Sequence, residues 1–240
     1  MGRYLCYTVP KGVLPIAANR GPALFLPHNA AIFDLDGTLL DSMWVWRAVD
    51  EAFFAARGLA LPDDYVKSIL SLTFRETAEY TIARFRLDET PEAIMDEWNR
   101  MCFRQYCEHV RLKPGVREYL ARLKAQGVKL GTATSLTTTA MHAVLESNGV
   151  LPLFGALTSA DEVTRGKEHP DIYLLAAQKL GAQPRDCVVF EDVLRTLRGI
   201  RAAGMTACAV WEPHLDQGDG YWAEMVRQFD VNIKGFEELL

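Results

Sequence analysis

Asp34 and Asp36 stand two residues apart, followed at once by Gly37 and Thr38, then by Asp41-Ser42. Before them runs the apolar stretch Ala30 to Phe33. That pattern is a strand ending in an acidic loop. Carboxylates at i and i+2 of an extended chain share one side of the backbone. Held that close, they repel unless one is protonated or a cation lies between them. Mg²⁺, a hard ion that takes oxygen ligands, suits such a pair. Gly37 can adopt the backbone conformation that turns the chain sharply off the strand. Two acids alone would equally describe an ordinary acidic turn, so the elements around them decide.

Residues 43–108 read as helices with short breaks. Val45, Val49, Phe53 and Ala56 recur at helical spacing, and Gly58 is a stop signal. Residues 62–70 form a short helix in this reading. Thr73-Phe74-Arg75-Glu76 has the capping-box pattern that opens the next one. Thr90-Pro91 places an N-cap before proline at the first helical position, with Ile94, Trp98, Met101 and Gln105 or Tyr106 down one side. Four such helices make a small bundle, whose Trp, Phe and Met residues pack its core.

From Lys113-Pro114-Gly115 onward, helices alternate with strands. Helices are expected over residues 114–126, 137–148, 170–180 and 194–203, and strands over 128–134, 156–159, 187–190 and 205–210. This alternation predicts an α/β protein with a parallel sheet covered on both faces. Such sheets bind ligands at the carboxyl ends of their strands. Three further stretches lie at such ends. Thr134-Ser135 offers hydroxyls and loop amides that suit an anionic oxygen, or a helix cap. Lys167 precedes a helix, and Glu191-Asp192 end a strand, where an acidic pair also suits a helix N-terminus.

The length of 240 residues allows one large domain, or a core with a smaller insertion. A net charge of −5 argues against a general nucleic-acid binder. No run of about 18 apolar residues exists, so no membrane partner is expected. The five cysteines, at 6, 102, 107, 187 and 208, form no CxxC pair or zinc spacing. They read as reduced thiols of a cytoplasmic protein. Residues 1–27, interrupted by Pro10, Pro15, Pro22 and Pro27, read as an amino-terminal extension and not as a secretory signal.

Taken together, the motifs resemble those of the haloacid dehalogenase (HAD) superfamily of phosphatases and phosphomutases. Asp34-x-Asp36-Gly37-Thr38-Leu39-x-Asp41-Ser42 resembles the first motif, Leu130 to Ser135 the second, Gly166 to Tyr173 the third, and Val188 to Asp192 the fourth. The chain departs from the family pattern at Glu168, where proline is usual. It departs again at Val193 and Thr196, where a small polar residue and a glycine are usual. The resemblance implies a Rossmann-like parallel-sheet core over residues 28–43 and 110–240, and a four-helix cap over 44–109. Within the superfamily, the helical insert is similar to that of phosphoglycolate phosphatases and β-phosphoglucomutase.

The implied chemistry is Mg²⁺-dependent hydrolysis of small phosphate esters. Asp34 is the implied nucleophile and Asp36 the acid and base. Thr134 and Lys167 hold the phosphoryl group, with Gly37 and Ser135 at its binding site. Asp34, the backbone carbonyl of Asp36, Glu191 and Asp192 are the implied metal ligands. Arg75, in the loop matching the family's cap specificity loop, either binds a second anionic group or caps and solvates its helix. The alternatives are a sugar phosphomutase and, less favoured, a non-catalytic binding relative. A hydrolytic dehalogenase is disfavoured because those relatives do not carry the second Asp that Asp36 supplies. A monomer or weak homodimer is expected.

Overall fold

The computed structural model describes residues 28–69, 72, 74–216, 218 and 220–240. The extension expected over residues 1–27 lies outside these, as do Leu70, Ser71 and Thr73 of the loop before Phe74. A five-stranded sheet of order β4-β1-β5-β6-β7 organises the chain. Its strands are β1 (Ala30–Phe33), β4 (Lys129–Thr132), β5 (Cys187–Glu191), β6 (Thr206–Val210) and β7 (Val231–Ile233), all paired in parallel. Every residue of β1 and β5 is buried, because helices cover both faces, and this is why their sequences read as unbroken apolar runs.

Side chains alternate across the sheet and divide the core in two. Ala31 and Phe33 of β1 face one cluster with Val188, Phe190 and Val210. Ala30 and Ile32 face the other, with Val189, Ala207 and Ala209. On the first face, the rings of Phe33 and Phe190 stack with centroids 4.7 Å apart. Each fully buried ring contributes about 2–3 kcal/mol through removal from water. The first face is lined by α5 (Val116–Ala125) and α6 (Thr138–Ser147), the second by α7 (Asp171–Leu180), α8 (Leu197–Ala202) and α9 (Tyr221–Gln228).

Between β1 and the rest of the sheet, the chain leaves through β2 (Leu40–Asp41) and returns through β3 (Arg111–Leu112), which pair antiparallel as a two-stranded neck. Beyond the neck lie α1 (Val45–Ala56), α2 (Tyr65–Ile69), α3 (Phe74–Phe85) and α4 (Pro91–Glu108). Thr90 caps α4 by accepting a hydrogen bond from Ala93 N at 3.2 Å, with Pro91 behind it. The buried stripe of α4 is Ile94, Trp98, Cys102 and Tyr106. Phe53 meets Trp98 edge-on at 5.3 Å, and Arg57 pairs at 2.7 Å with both Glu89 and Glu97, tying the end of α1 to α4. These helices share one continuous apolar cluster with the first face of the sheet.

The segment 156–159, expected as a strand, is not one. It makes only isolated bridges, Gly131 with Ala156 and Thr134 with Ser159. The reason is local. Thr158 N donates at 2.9 Å to the Thr132 hydroxyl instead of to a strand carbonyl, so a side chain interrupts the ladder. The helix expected over 194–203 begins as a 3₁₀ turn, Leu194–Thr196, before α8.

Candidate active site

Register places the chemistry. Phe33 pairs with Thr132 on one side and Phe190 on the other, so the ends of β1 and β4 lie level with Phe190, one residue before the last of β5. The next residues, Asp34, Ala133 and Glu191, therefore emerge together. Two backbone bonds fix the level: Asp34 N donates to Phe190 O at 3.1 Å, and Ala133 N to Phe33 O at 2.9 Å. The chain passes from β1 to one neighbour and then crosses to the other, so this is also the point where strand order reverses.

Asp34, Glu191 and Asp192 are buried, and each offers a carboxylate oxygen within 4.8 Å of the others. Lys167 enters from the loop before α7. Its ammonium lies 2.7 Å from Asp34 Oδ1 and also pairs with Glu191 Oε1. Tyr173 of α7 donates to the same Glu191 oxygen at 3.3 Å. Thr38 donates to Asp192 Oδ1 at 3.1 Å. Gly37, at φ +72°, passes so close to Asp192 that a Cβ there would overlap Oδ2. Both its left-handed backbone and this approach require glycine.

Three buried acids with one ammonium leave negative charge unbalanced. Burial, and then the neighbouring Asp34, hold Asp192 well above the usual carboxylate range. Burial raises Glu191 as well, although Lys167 opposes it. Burial would lower the Lys167 ammonium, but Asp34 and Glu191 outweigh it and hold the group firmly protonated. Glu191 Oε2 is buried without a hydrogen-bond partner. An orphaned carboxylate oxygen inside a group of three acids fits a hard divalent cation, which would also bring these carboxylates back to the ionised form.

Asp36 is held differently. Its Oδ1 accepts from Ser42 at 2.6 Å and from the Tyr106 hydroxyl at 2.8 Å. Burial lifts its carboxyl to about 6, against the lowering effect of these two donors. A carboxyl raised in this direction is suited to giving and taking a proton. Asp34, Asp36, Ser135, Lys167 and Asp192 all line one cleft of about 570 Å³.

Thr134 is fully buried and does not line the cleft; its hydroxyl accepts from Leu136 N at 3.2 Å, as a turn-capping residue does. Arg75 lies outside the cleft lining. It pairs with Glu92 and, at 3.6 Å, with Glu79 of its own helix. Sequence reasoning assigned no site role to Ser42, Tyr106, Tyr173, Trp46 or Arg195, which touch the acids or line the cleft. Tyr106 was legible only as part of the α4 stripe, since its polar partner lies across the neck.

Comparison with known proteins places the chain in a family. The profile of the haloacid dehalogenase-like hydrolases matches residues 31–210. The chain belongs to that family. Within it, the relatives include phosphatases: hexitol phosphatase B of Escherichia coli K12 is 30% identical over 197 residues, covering 77% of this chain and 84% of that one. Protein CbbY of Rhodobacter capsulatus is 34% identical over 191 residues, covering 74% and 82%. A crystal structure from Thermotoga maritima, provisionally named a β-phosphoglucomutase, superposes with a TM-score of 0.77 at 26% identity, covering 88% of this chain and 96% of that one.

Proposed function

We propose that the protein is a Mg²⁺-dependent phosphatase of small phosphorylated metabolites, working through an aspartyl-phosphate. The observation that carries this reading is the buried Asp34–Lys167–Glu191–Asp192 cluster opening into a cleft beside Asp36. A carboxylate Oδ of Asp34 attacks phosphorus, and the bond to the leaving oxygen breaks. Asp36 gives that oxygen its proton. Water then attacks phosphorus, passing a proton back to Asp36, and inorganic phosphate leaves Asp34. Lys167 offsets the repulsion between an anionic ester and an anionic nucleophile. Ser135, which lines the cleft, would meet the phosphoryl oxygens, and Thr134 would shape the turn that carries it. Asp34, Glu191 and Asp192, with the Asp36 carbonyl, would hold Mg²⁺, which supplies positive charge to the transferring phosphoryl group.

In this reading residues 44–109 are a cap over the core formed by 28–43 and 110–240. Tyr106 of α4 reaching Asp36, and Trp46 of α1 lining the cleft, support it. Hydrolysis is favoured over phosphoryl transfer between sugar positions. Relatives named as phosphatases, such as hexitol phosphatase B, support this ranking; among the described residues, the cap helices give the cleft Trp46 and Tyr106, with Met43 just before them. The described cysteines are all free, which supports a reducing compartment such as the cytoplasm, and among the described residues no helix is long and apolar enough to cross a membrane.

The reading is tested by phosphate release from p-nitrophenyl phosphate with Mg²⁺. Release that stops with EDTA is expected; isomerisation of β-glucose 1-phosphate without free phosphate would replace it with the mutase. A second outcome concerns Tyr106→Phe. Removing a donor to the Asp36 carboxylate raises its pKa above about 6. The alkaline limb of kcat/KM, where protonated Asp36 is lost, should therefore move to higher pH. An unmoved or acid-shifted limb would exclude Asp36 as the proton donor.

A further inference from the structure

Two positions next to family motifs meet at the edge of the cleft. Glu168 stands where the resembling family motif usually has proline, and Arg195 lies between the two departures Val193 and Thr196. Both line the cleft. Arg195 Nε lies 3.8 Å from Glu168 Oε1, with side chains 76% and 51% exposed. A single, long, solvated contact of this kind holds weakly and is readily exchanged.

The backbone beneath Arg195 is fixed. Thr196 donates to Val193 O at 2.6 Å, closing the turn. Leu194 N donates at 2.8 Å to the Tyr221 hydroxyl, which donates in turn to Asp192 O at 3.3 Å. Among the described residues lining the cleft, the cations are Lys167 and Arg195. Lys167 is held between Asp34 and Glu191. Arg75, the other candidate for a second anion, lies outside the cleft lining. Met43 and Trp46 give the cleft uncharged surface, suited to the carbon body of a leaving group.

We propose that Arg195 is a specificity-determining residue that binds a second anionic group, carboxylate or phosphate, at the leaving-group end of the substrate, and that Glu168 is the internal competitor this group displaces. The proposal rests on the phosphatase reading for the seat of the phosphoryl group. The guanidinium fork matches either anion in two parallel hydrogen bonds, which the present contact with Glu168 does not provide.

The test reads binding, not turnover. Titration calorimetry with Mg²⁺ at about 0.15 M salt, where long-range attraction is screened, compares three non-hydrolysable ligands. These are propylphosphonate, 3-phosphonopropionate and propane-1,3-bisphosphonate. The wild-type protein should bind a doubly anionic ligand roughly tenfold or more tightly than propylphosphonate. Arg195→Gln should remove most of that preference, and Glu168→Gln should enlarge it. Whichever doubly anionic ligand gains more identifies carboxylate or phosphate as the group read. No preference in the wild type, or a preference surviving in Arg195→Gln, overturns the proposal. Failure of the phosphatase reading would show separately, as no phosphate release from p-nitrophenyl phosphate.

Discussion

Asp34→Asn is expected to lower phosphate release on the order of 10⁴-fold or more, as loss of a covalent nucleophile does, without lowering stability. The amide is nearly the shape of the carboxylate, so the 3.1 Å backbone bond from residue 34 to Phe190 and the level strand ends persist. As a neutral group it is a poor nucleophile and a weaker ligand for a cation. The stability half of the expectation follows from charge. Asp34 is one of three buried acids around one lysine, and its charge helps raise both Glu191 and Asp192. Removing it relieves repulsion, so the unfolding temperature in EDTA should hold or rise. Phosphate release near the wild-type rate by a sequence-verified Asp34→Asn preparation would end the aspartyl-phosphate mechanism.

Lys167→Met should act in the opposite sense on stability while also disabling the enzyme. The side chain is 11% exposed and balances Asp34 and Glu191. Taking one partner from a buried ion pair costs about 3–5 kcal/mol, because the other charge is left uncompensated. The remaining acids respond by binding protons more tightly, so their folded-state pKa values rise further above the unfolded ones. Groups raised in this way lose their contribution as pH increases. The deficit of Lys167→Met, read from the urea midpoint in EDTA, should therefore widen from pH 5 to pH 8. Mg²⁺ should recover part of it by binding the folded state. Activity should stay down by about 10²–10³-fold, the cost of losing one charge-stabilising group. A variant as stable as the wild type across that pH range, with activity within tenfold, would show that Lys167 is not the charge partner of the cluster.

The strands of the site were legible because burial on both faces writes an apolar run, and because Gly127, Gly149 and Gly181 punctuate the helices around them with left-handed turns. The Thr90-Pro91 start of α4 was legible because capping is local chemistry. The segment 156–159 misled because its composition suits a strand, while the Thr132 hydroxyl that takes its amide lies in a different element. α9 and β7 carried little signal. α9 opens at Gly220 in a left-handed conformation without a side-chain cap, and β7 is a three-residue edge strand with only Ile233 buried. In the site, the acids and Lys167 stand at recognisable strand and helix ends. The environment that tunes Asp36 does not: Tyr106 is written as one more apolar position of a helix, and its hydroxyl finds Asp36 only after the neck closes. Arg75, read as either an anion binder or a residue that caps and solvates its helix, pairs with Glu79 and Glu92.

The sheet order has a consequence for how the molecule is made. β1, which carries Asp34, pairs only with β4 and β5, and both lie beyond the whole of α1–α4 in the chain. During synthesis its apolar residues emerge first and wait for partners that arrive after the helical segment and more. The helices of that segment depend mostly on near neighbours, whereas the sheet depends on distant ones, and distant pairings are slow to form. On refolding, helical signal should thus return ahead of the docking of β1. Until β5 is in place the unpaired central strand is a sticky edge, and these conditions favour association between chains. The arrangement that brings Asp34, Lys167, Glu191 and Asp192 to one point should in this way also be late to assemble in the folding chain.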